Sequence, residues 1–291
     1  MPVHDELGLR IKENYENTSK TRLIRRMPVI IRVDGKAFHT FTKGFKKPFD
    51  HILMKSMQET MKYLCENIQG CVLGYTQSDE ISLLLVDYKK LNSDAWFDNE
   101  VQKICSISAS MTTMSFNKNF ENMILDIDPD LNFYYVYKGF DTPKDRLEVE
   151  EQWKIAKKYG FNNIGDIKKY TETYNKAIRK GAMFDSRSFN IPKEEVTNYF
   201  YWRQLDATRN SIQMVGQAIF SHKELHKKSC NDIQDMLHEQ KGINWNDFTV
   251  PEKRGTCCIK KDDKWILDGD IPIFKGEDRK YIEELVYCEE E

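Results

Sequence analysis

IIRVDGKAF (Ile30 to Phe38) and GYTQSDEISLLL (Gly74 to Leu85) each place an acid where an apolar, β-branched run gives way to a polar turn. PVIIRV (Pro28 to Val33) is nearly continuous and predicts a buried strand that ends at Asp34-Gly35. CVLGYT and ISLLLVDY are separated only by Gln77-Ser78-Asp79-Glu80, which predicts an antiparallel hairpin with Asp79 and Glu80 at its tip. A strand end and a hairpin tip on one sheet bring carboxylates to a common rim. Paired rim carboxylates are a means of holding metal ions for phosphoryl and nucleotidyl transfer.

Working outward, Leu7 to Asn17 has the pattern of a short amphipathic helix. Asp50 N-caps a second helix in which Ile52, Leu53, Met57, Met61, Leu64 and Ile68 recur at three- and four-residue intervals up to Gly70. Asn92-Ser93-Asp94 offers caps for a helix from Trp96 to Asn117, and GAMFDSRSFNI (Gly181 to Ile191) reads as a later strand. The expected fold class is α+β: a ferredoxin-like βαββαβ antiparallel sheet with helices, joined to a helical C-terminal part and a helical insertion. The division predicted is a catalytic core over 1–127, a charge-rich insertion poor in core over 128–180, and a remainder over 181–291. That remainder holds the last strand of the unit, a long helix from Pro192, two short helices in Ser221 to Gln240 with a break near Ser229, and a C-terminal β-hairpin.

The 291 residues are 40% hydrophobic and 31% charged, which is enough for a sizeable core. No run is long and apolar enough for a membrane span, and the N-terminus lacks the pattern of a signal or transit peptide, so a cytoplasmic protein without a membrane partner is expected. The 7 cysteines sit at no zinc-finger spacing, and the formal net charge of -2 means that nucleic-acid binding must come from a local patch. KTRLIRR (Lys20 to Arg26), with Arg22, Arg25 and Arg26, is the best such patch.

Asp34, Asp79 and Glu80 are the candidate catalytic acids. Two divalent ions about 4 Å apart serve nucleotidyl transfer, and magnesium needs few carboxylates when phosphate oxygens complete its shell. Either acidic segment alone is also an ordinary turn, since Asp, Gly and Ser favour turns. Backbone amides after the strand, from Asp34 to His39, can cradle a triphosphate, and Lys47 stands where a cation reaches phosphate. Tyr199 to Trp202 reads as core before it reads as a stacking platform. Ser221 to Gln240 has the outline of a helix-turn-helix that its polar content does not separate from a plain helical hairpin.

RVDGKAFHTF with KPFD after it, YTQSDEIS, FDSR (Phe184 to Arg187), YWRQLDA (Tyr201 to Ala207) and KRGT (Lys253 to Thr256) stand in the order found in the tRNA(His) guanylyltransferase family and its Thg-like branch, which this chain resembles from Leu7 to Ser115 and from Met183 to Lys260. The resemblance implies a polymerase-like palm and templated 3′-to-5′ nucleotide addition to the 5′ end of tRNA, after adenylylation by ATP. It implies two Mg2+ ions, ATP and GTP as substrates, and a homo-oligomer, a tetramer. By the same resemblance Asp34, Asp79 and the carbonyl of Gly35 hold metal. Asp34, Gly35, Lys36, Ala37, Phe38, His39, Lys47, Asp50, Ser78 and Asp79 meet the nucleotide. Arg187, Arg209, Asn210 and Lys241 join Arg22, Arg25 and Arg26 as candidates for binding RNA. After WRQ-x-D the tRNA(His)-specific enzymes carry His-Ile-Asn-Asn-Leu-Tyr-Asn-Thr where this chain begins Thr208-Arg209-Asn210, so the resemblance leans toward repair of 5′-truncated tRNAs. The rival readings are another palm enzyme, a cyclase or a conventional polymerase, and a non-catalytic nucleic-acid-binding protein.

Overall fold

The computed structural model describes residues 5–125, 154, 157, 159–161 and 164–287, with the backbone alone at 164–168. Its centre is a six-stranded sheet built of β1 (Val29–Gly35), β2 (Cys71–Gln77), β3 (Glu80–Leu85), β4 (Phe184–Asn190), β5 (Thr256–Lys261) and β6 (Lys264–Asp268). The spatial order is β4-β1-β3-β2-β5-β6, every pair antiparallel. The first four strands alternate with two helices, α3 (His51–Asn67) and α4 (Val101–Leu125), in the expected βαββαβ sequence. The C-terminal hairpin, β5 with β6, extends the same sheet.

Both faces are covered, which is why β1 and β3 read as nearly unbroken apolar runs. Ile31, Val33, Ile81 and Leu83 point into the cluster shared with α3, α4 and α5 (Ile164–Lys180). Ile30, Leu84, Leu73 and Tyr75 point the other way, onto α6 (Lys193–Ile219) with its buried Val196, Tyr199 and Phe200. A third cluster joins the end of α6, through Ile212 and Val215, to α8 (Cys230–Lys241), through Ile233 and Leu237. Asp50 caps α3 by accepting from Leu53 N at 3.0 Å. The expected break near Ser229 is present: α7 (His222–Leu225) and α8 each begin at a serine capping box.

Three expectations change. No helix runs from Trp96: Phe97, Asp98 and Asn99 have positive φ, so Trp96–Asn99 is a tight turn and α4 starts at Val101 and continues to Leu125. The N-terminal helix α1 (Glu6–Ile11) forms, but buries nothing; Leu7, Leu9 and Tyr15 beside it remain exposed. Finally, the described part of the charge-rich stretch is not poor in core. Phe161, Tyr174 and Ala177 are buried against Phe45, Phe120 and α3, because α5 turns an apolar face inward while its charges stay outside. Most of 128–163 lies outside the described residues.

Candidate active site

The β1 and β2–β3 segments bring Asp34 and Asp79 together at one end of the sheet. Gln77 pairs with Glu80, leaving Ser78-Asp79 as a two-residue turn in which Ser78 takes a φ of 51°. Gly35 N donates to the Asp79 carbonyl at 3.1 Å, which locks the tip of the hairpin to the end of β1. Burial raises the Asp79 carboxyl above its ordinary range, and the nearby Asp34 charge adds to it. Ser78 Oγ donates to its side chain at 3.1 Å. In register, Asp34 also faces Glu80 on one side and Asp185 on the other. Like charges directly opposite destabilise a sheet, so a sequence that keeps them has a use for them.

Glu80 is different in kind from its neighbours. Its carboxylate is buried and clamped by Arg203 Nε at 2.7 Å, Arg203 Nη2 at 2.9 Å and Arg32 Nη2 at 2.6 Å. Burial nonetheless outweighs the two arginines and leaves its carboxyl above the ordinary range. Glu80 is therefore an internal anchor rather than a free acid. Arg32 and Arg203 were not singled out from the sequence, although Arg32 lies two residues before Asp34 on the same face of β1 and Arg203 belongs to the WRQ motif.

Among the described residues no three His, Cys, Asp or Glu side chains converge on one point. The donor set that does exist is two carboxylates, Asp34 and Asp79, and among the described residues no cation is paired more closely with either than Arg32 Nη2, 3.8 Å from Asp34. Such a set fits magnesium, which binds by one or two carboxylates and takes its remaining ligands from water and phosphate.

Beside these acids opens a cleft of about 710 Å³ lined by Gly35, Ala37, Phe38, His39, Lys47, Asp50, Ser78 and Asp79, all read from the sequence as nucleotide-binding. Asp34 and Lys36 do not line it. The amides of Gly35 and Lys36 are already engaged, with the Asp79 and Met183 carbonyls, so the free cradle begins later. Ala37 adopts a left-handed backbone and starts α2 (Phe38–Phe41), whose first amides lack intrahelical partners. Gly35 has no room for a side chain: a Cβ would stand 2.7 Å from Phe38 Cγ. Asp50 lines the cleft with a carboxylate that is fully used by Leu53 N, Lys46 N and the Tyr174 hydroxyl. Lys43, Gly44, Met214 and Gln217 also line the walls and were missed. Only the repeated lysines of KGFKKPF hinted at any of them.

The RNA candidates disperse. Arg22 and Arg25 both pair with Asp98, in the turn that displaced the start of α4. Arg187 pairs with Asp185 at 2.9 Å, and Arg209 and Asn210 both engage Asp206. Arg26 is exposed, its backbone amide bound to Asp87. Lys241 lies over the Phe220 ring at 5.8 Å, far along the helical part.

An antiparallel sheet that carries two underneutralised acids at one end, next to a lysine-lined cleft of nucleotide size, has the make-up of an enzyme that transfers nucleotidyl groups. A family model described as Thg1, tRNA(His) guanylyltransferase, matches residues 10–143. The solved structure of a bacterial tRNA(His) guanylyltransferase (Thg1)-like protein in complex with ATP is 41% identical, covers 97% of this chain and all of its own, and superposes with a TM-score of 0.73. A GTP complex of such a protein is 38% identical over 98% of this chain, with a TM-score of 0.68. The tRNA(His) guanylyltransferase of Debaryomyces hansenii is 24% identical over 83% of this chain and 76% of its own length. The chain belongs to the Thg1 family of nucleotidyltransferases. These matches run through the stretch after Ser115 that the motifs had left uncovered, so that stretch is not foreign to the family.

Proposed function

We propose that the chain is a 3′-to-5′ nucleotidyltransferase that adds nucleotides to the 5′ end of tRNA in a template-dependent manner, with the βαββαβ unit serving as a polymerase-like palm. The observation that carries this reading is the meeting of Asp34 and Asp79 at one end of the sheet, with Asp79 lining the 710 Å³ cleft. That relatives of similar length have been solved with ATP and with GTP supports nucleoside triphosphates as its occupants.

In the first step an oxygen of the tRNA 5′-monophosphate attacks the α-phosphorus of ATP and pyrophosphate leaves. In the second the 3′-hydroxyl of GTP, or of another nucleoside triphosphate, attacks the 5′-phosphorus of the tRNA; the hydroxyl proton is lost and AMP leaves. Asp34 and Asp79, with the Gly35 carbonyl, would hold Mg2+, which neutralises phosphate oxygens and makes the attacking hydroxyl more acidic. Lys43 and Lys47 neutralise the triphosphate, and the first amides of α2 with Ser78 orient it. Arg32 and Arg203 fix Glu80, and through it the hairpin tip on which Asp79 rides. Both displacements occur at phosphorus, so one centre serves both.

Thr208, where the tRNA(His)-specific motif has His, favours repair of 5′-truncated tRNAs over strict guanylylation of one tRNA. Incubation with α-labelled ATP, Mg2+, all four nucleoside triphosphates and 5′-monophosphorylated tRNAs, full-length and truncated, tests the proposal. An adenylylated intermediate and 5′ extension, greater on truncated RNA, are expected; absence of both overturns it. A cytoplasmic tetramer is the expected form, checked by sedimentation.

A further inference from the structure

The cleft does not stop at the nucleotide site. Gln217 on α6 lines it and also lines a second cavity of about 510 Å³, so the two meet along one helix. The second cavity is rimmed by His222, His226, Lys227 and Lys228 from α7 and the turn after it, with Phe220 among the lining residues. Among the described residues no Asp or Glu lines it. The adjacent acids, Glu224 and Asp232, are occupied in capping Ser221 and Ser229. In a chain with a formal net charge of -2, this concentrates positive charge along one trough that starts at the Lys43 and Lys47 wall. Lys241 extends it, since its ammonium lies over the Phe220 ring. Local cationic grooves of this kind bind polyanions whatever the net charge of the protein.

We infer that this second cavity holds backbone phosphates of the RNA strand whose 5′ end enters the cleft, a deepening that rests on the function proposed above. A chain reacting at its 5′ phosphate must lead away from Asp34 and Asp79, and the second cavity, which adjoins the cleft at Gln217, offers it a cationic path. Phosphate contacts position the strand without reading its sequence, which suits an enzyme acting on the ends of different RNAs. Of the basic residues that the sequence offers for RNA, this path uses Lys241 and leaves the paired Arg22, Arg25 and Arg187 aside.

The test is fluorescence anisotropy of a 5′-monophosphorylated RNA hairpin titrated with full-length protein at several salt concentrations. The double variant Lys227→Ala/Lys228→Ala should bind about tenfold more weakly at low salt and flatten the dependence of log K on log salt by about 1.5, since each phosphate contact contributes roughly 0.7–0.9. Lys223→Ala, on α7 beside the cavity but not lining it, should bind as wild type does. Lys228→Glu serves as a second probe and should weaken binding further, with the melting temperature confirming its fold. ATP and GTP affinity should not change in any of these variants. Wild-type affinity and slope in both the double variant and Lys228→Glu overturn this site, as does a loss confined to ATP or GTP binding, which would make it a nucleotide site. Failure of the wild-type protein itself to bind the hairpin would instead sink the functional reading.

Discussion

Arg203 on α6 grips Glu80 at 2.7 Å, so that the long helix on one face of the sheet holds the first residue of β3, next to Asp79. Both side chains are buried, and Asp206 adds a further contact to the same guanidinium at 2.9 Å. Removing one member of such a group strands a buried charge. Glu80→Ala and Arg203→Ala should therefore each destabilise the fold by about 3–5 kcal/mol in urea unfolding. Arg203→Lys should rescue little, because an ammonium cannot replace the fork that reaches both acids. A Glu80→Ala protein of normal stability with abolished transfer would instead return Glu80 to the role of a reacting acid.

Asp79 should behave in the opposite way. Its carboxyl titrates above its ordinary value of 3.8 because it is desolvated and faces Asp34. The folded chain thus holds that proton more tightly than the unfolded chain does. The stability this contributes is present at low pH and lost as pH rises through the elevated value, so at neutral pH the ionised Asp79 is a burden. Asp79→Asn should raise the melting temperature at pH 7 by about 2 °C, a gain that fades toward pH 4, while abolishing 5′ extension. Magnesium should raise the melting temperature of the wild-type protein, by about 1.4 kcal/mol of stability at ten times its dissociation constant, and leave Asp79→Asn unmoved. An equal magnesium response in both proteins would place the ion elsewhere.

How much of this was legible in the sequence depended on which force placed each residue. Asp34 and Asp79 were visible because strand periodicity and a two-residue turn are local properties that survive into the fold unchanged. The same locality located the cap at Asp50 and the break at Ser229. Arg203 could not be read in this way: it lies more than a hundred residues from Glu80, and their pairing is decided by how α6 settles on the sheet. The pairing of Arg22 and Arg25 was hidden for a related reason. A basic run signals charge but not its partner, and the partner, Asp98, was hidden in what looked like the first turn of a helix. Phe97 takes positive φ there, a choice for which propensity gives no warning.

Gly35 lies between strand and cradle, and its replacement separates packing from chemistry. Alanine there would push on Phe38, whose ring meets Phe41, Phe116 and Phe184 at centroid distances of 5.0–5.6 Å. Overpacking of this kind costs about 1–3 kcal/mol. Gly35→Ala should lower thermal stability and weaken ATP binding together, because the displaced ring begins the helix whose amides face the cleft. Full stability with full ATP affinity would show that the loop has slack it does not display.

Asp50 decides whether the far wall of the cleft touches the nucleotide or only supports the residues that do. Its Oδ1 accepts from Leu53 N at 3.0 Å, and its Oδ2 accepts from Lys46 N at 3.0 Å and from the Tyr174 hydroxyl at 2.6 Å. Burial and the adjacent Asp50 charge push the Tyr174 phenol up, so it remains protonated and donating. One carboxylate thus caps α3, shapes the lysine-bearing segment and ties down α5. Tyr174→Phe should cost about 1–2 kcal/mol, and Asp50→Ala should cost more, since the cap and the Lys46 amide lose their acceptor as well. Both should weaken ATP binding only as far as they loosen the wall, whereas Lys43→Ala should weaken it about tenfold at unchanged melting temperature. Isothermal titration alongside thermal melts separates the cases. An Asp50→Ala protein that melts normally yet binds no ATP would make Asp50 a direct ligand of the nucleotide, as the sequence motif first suggested.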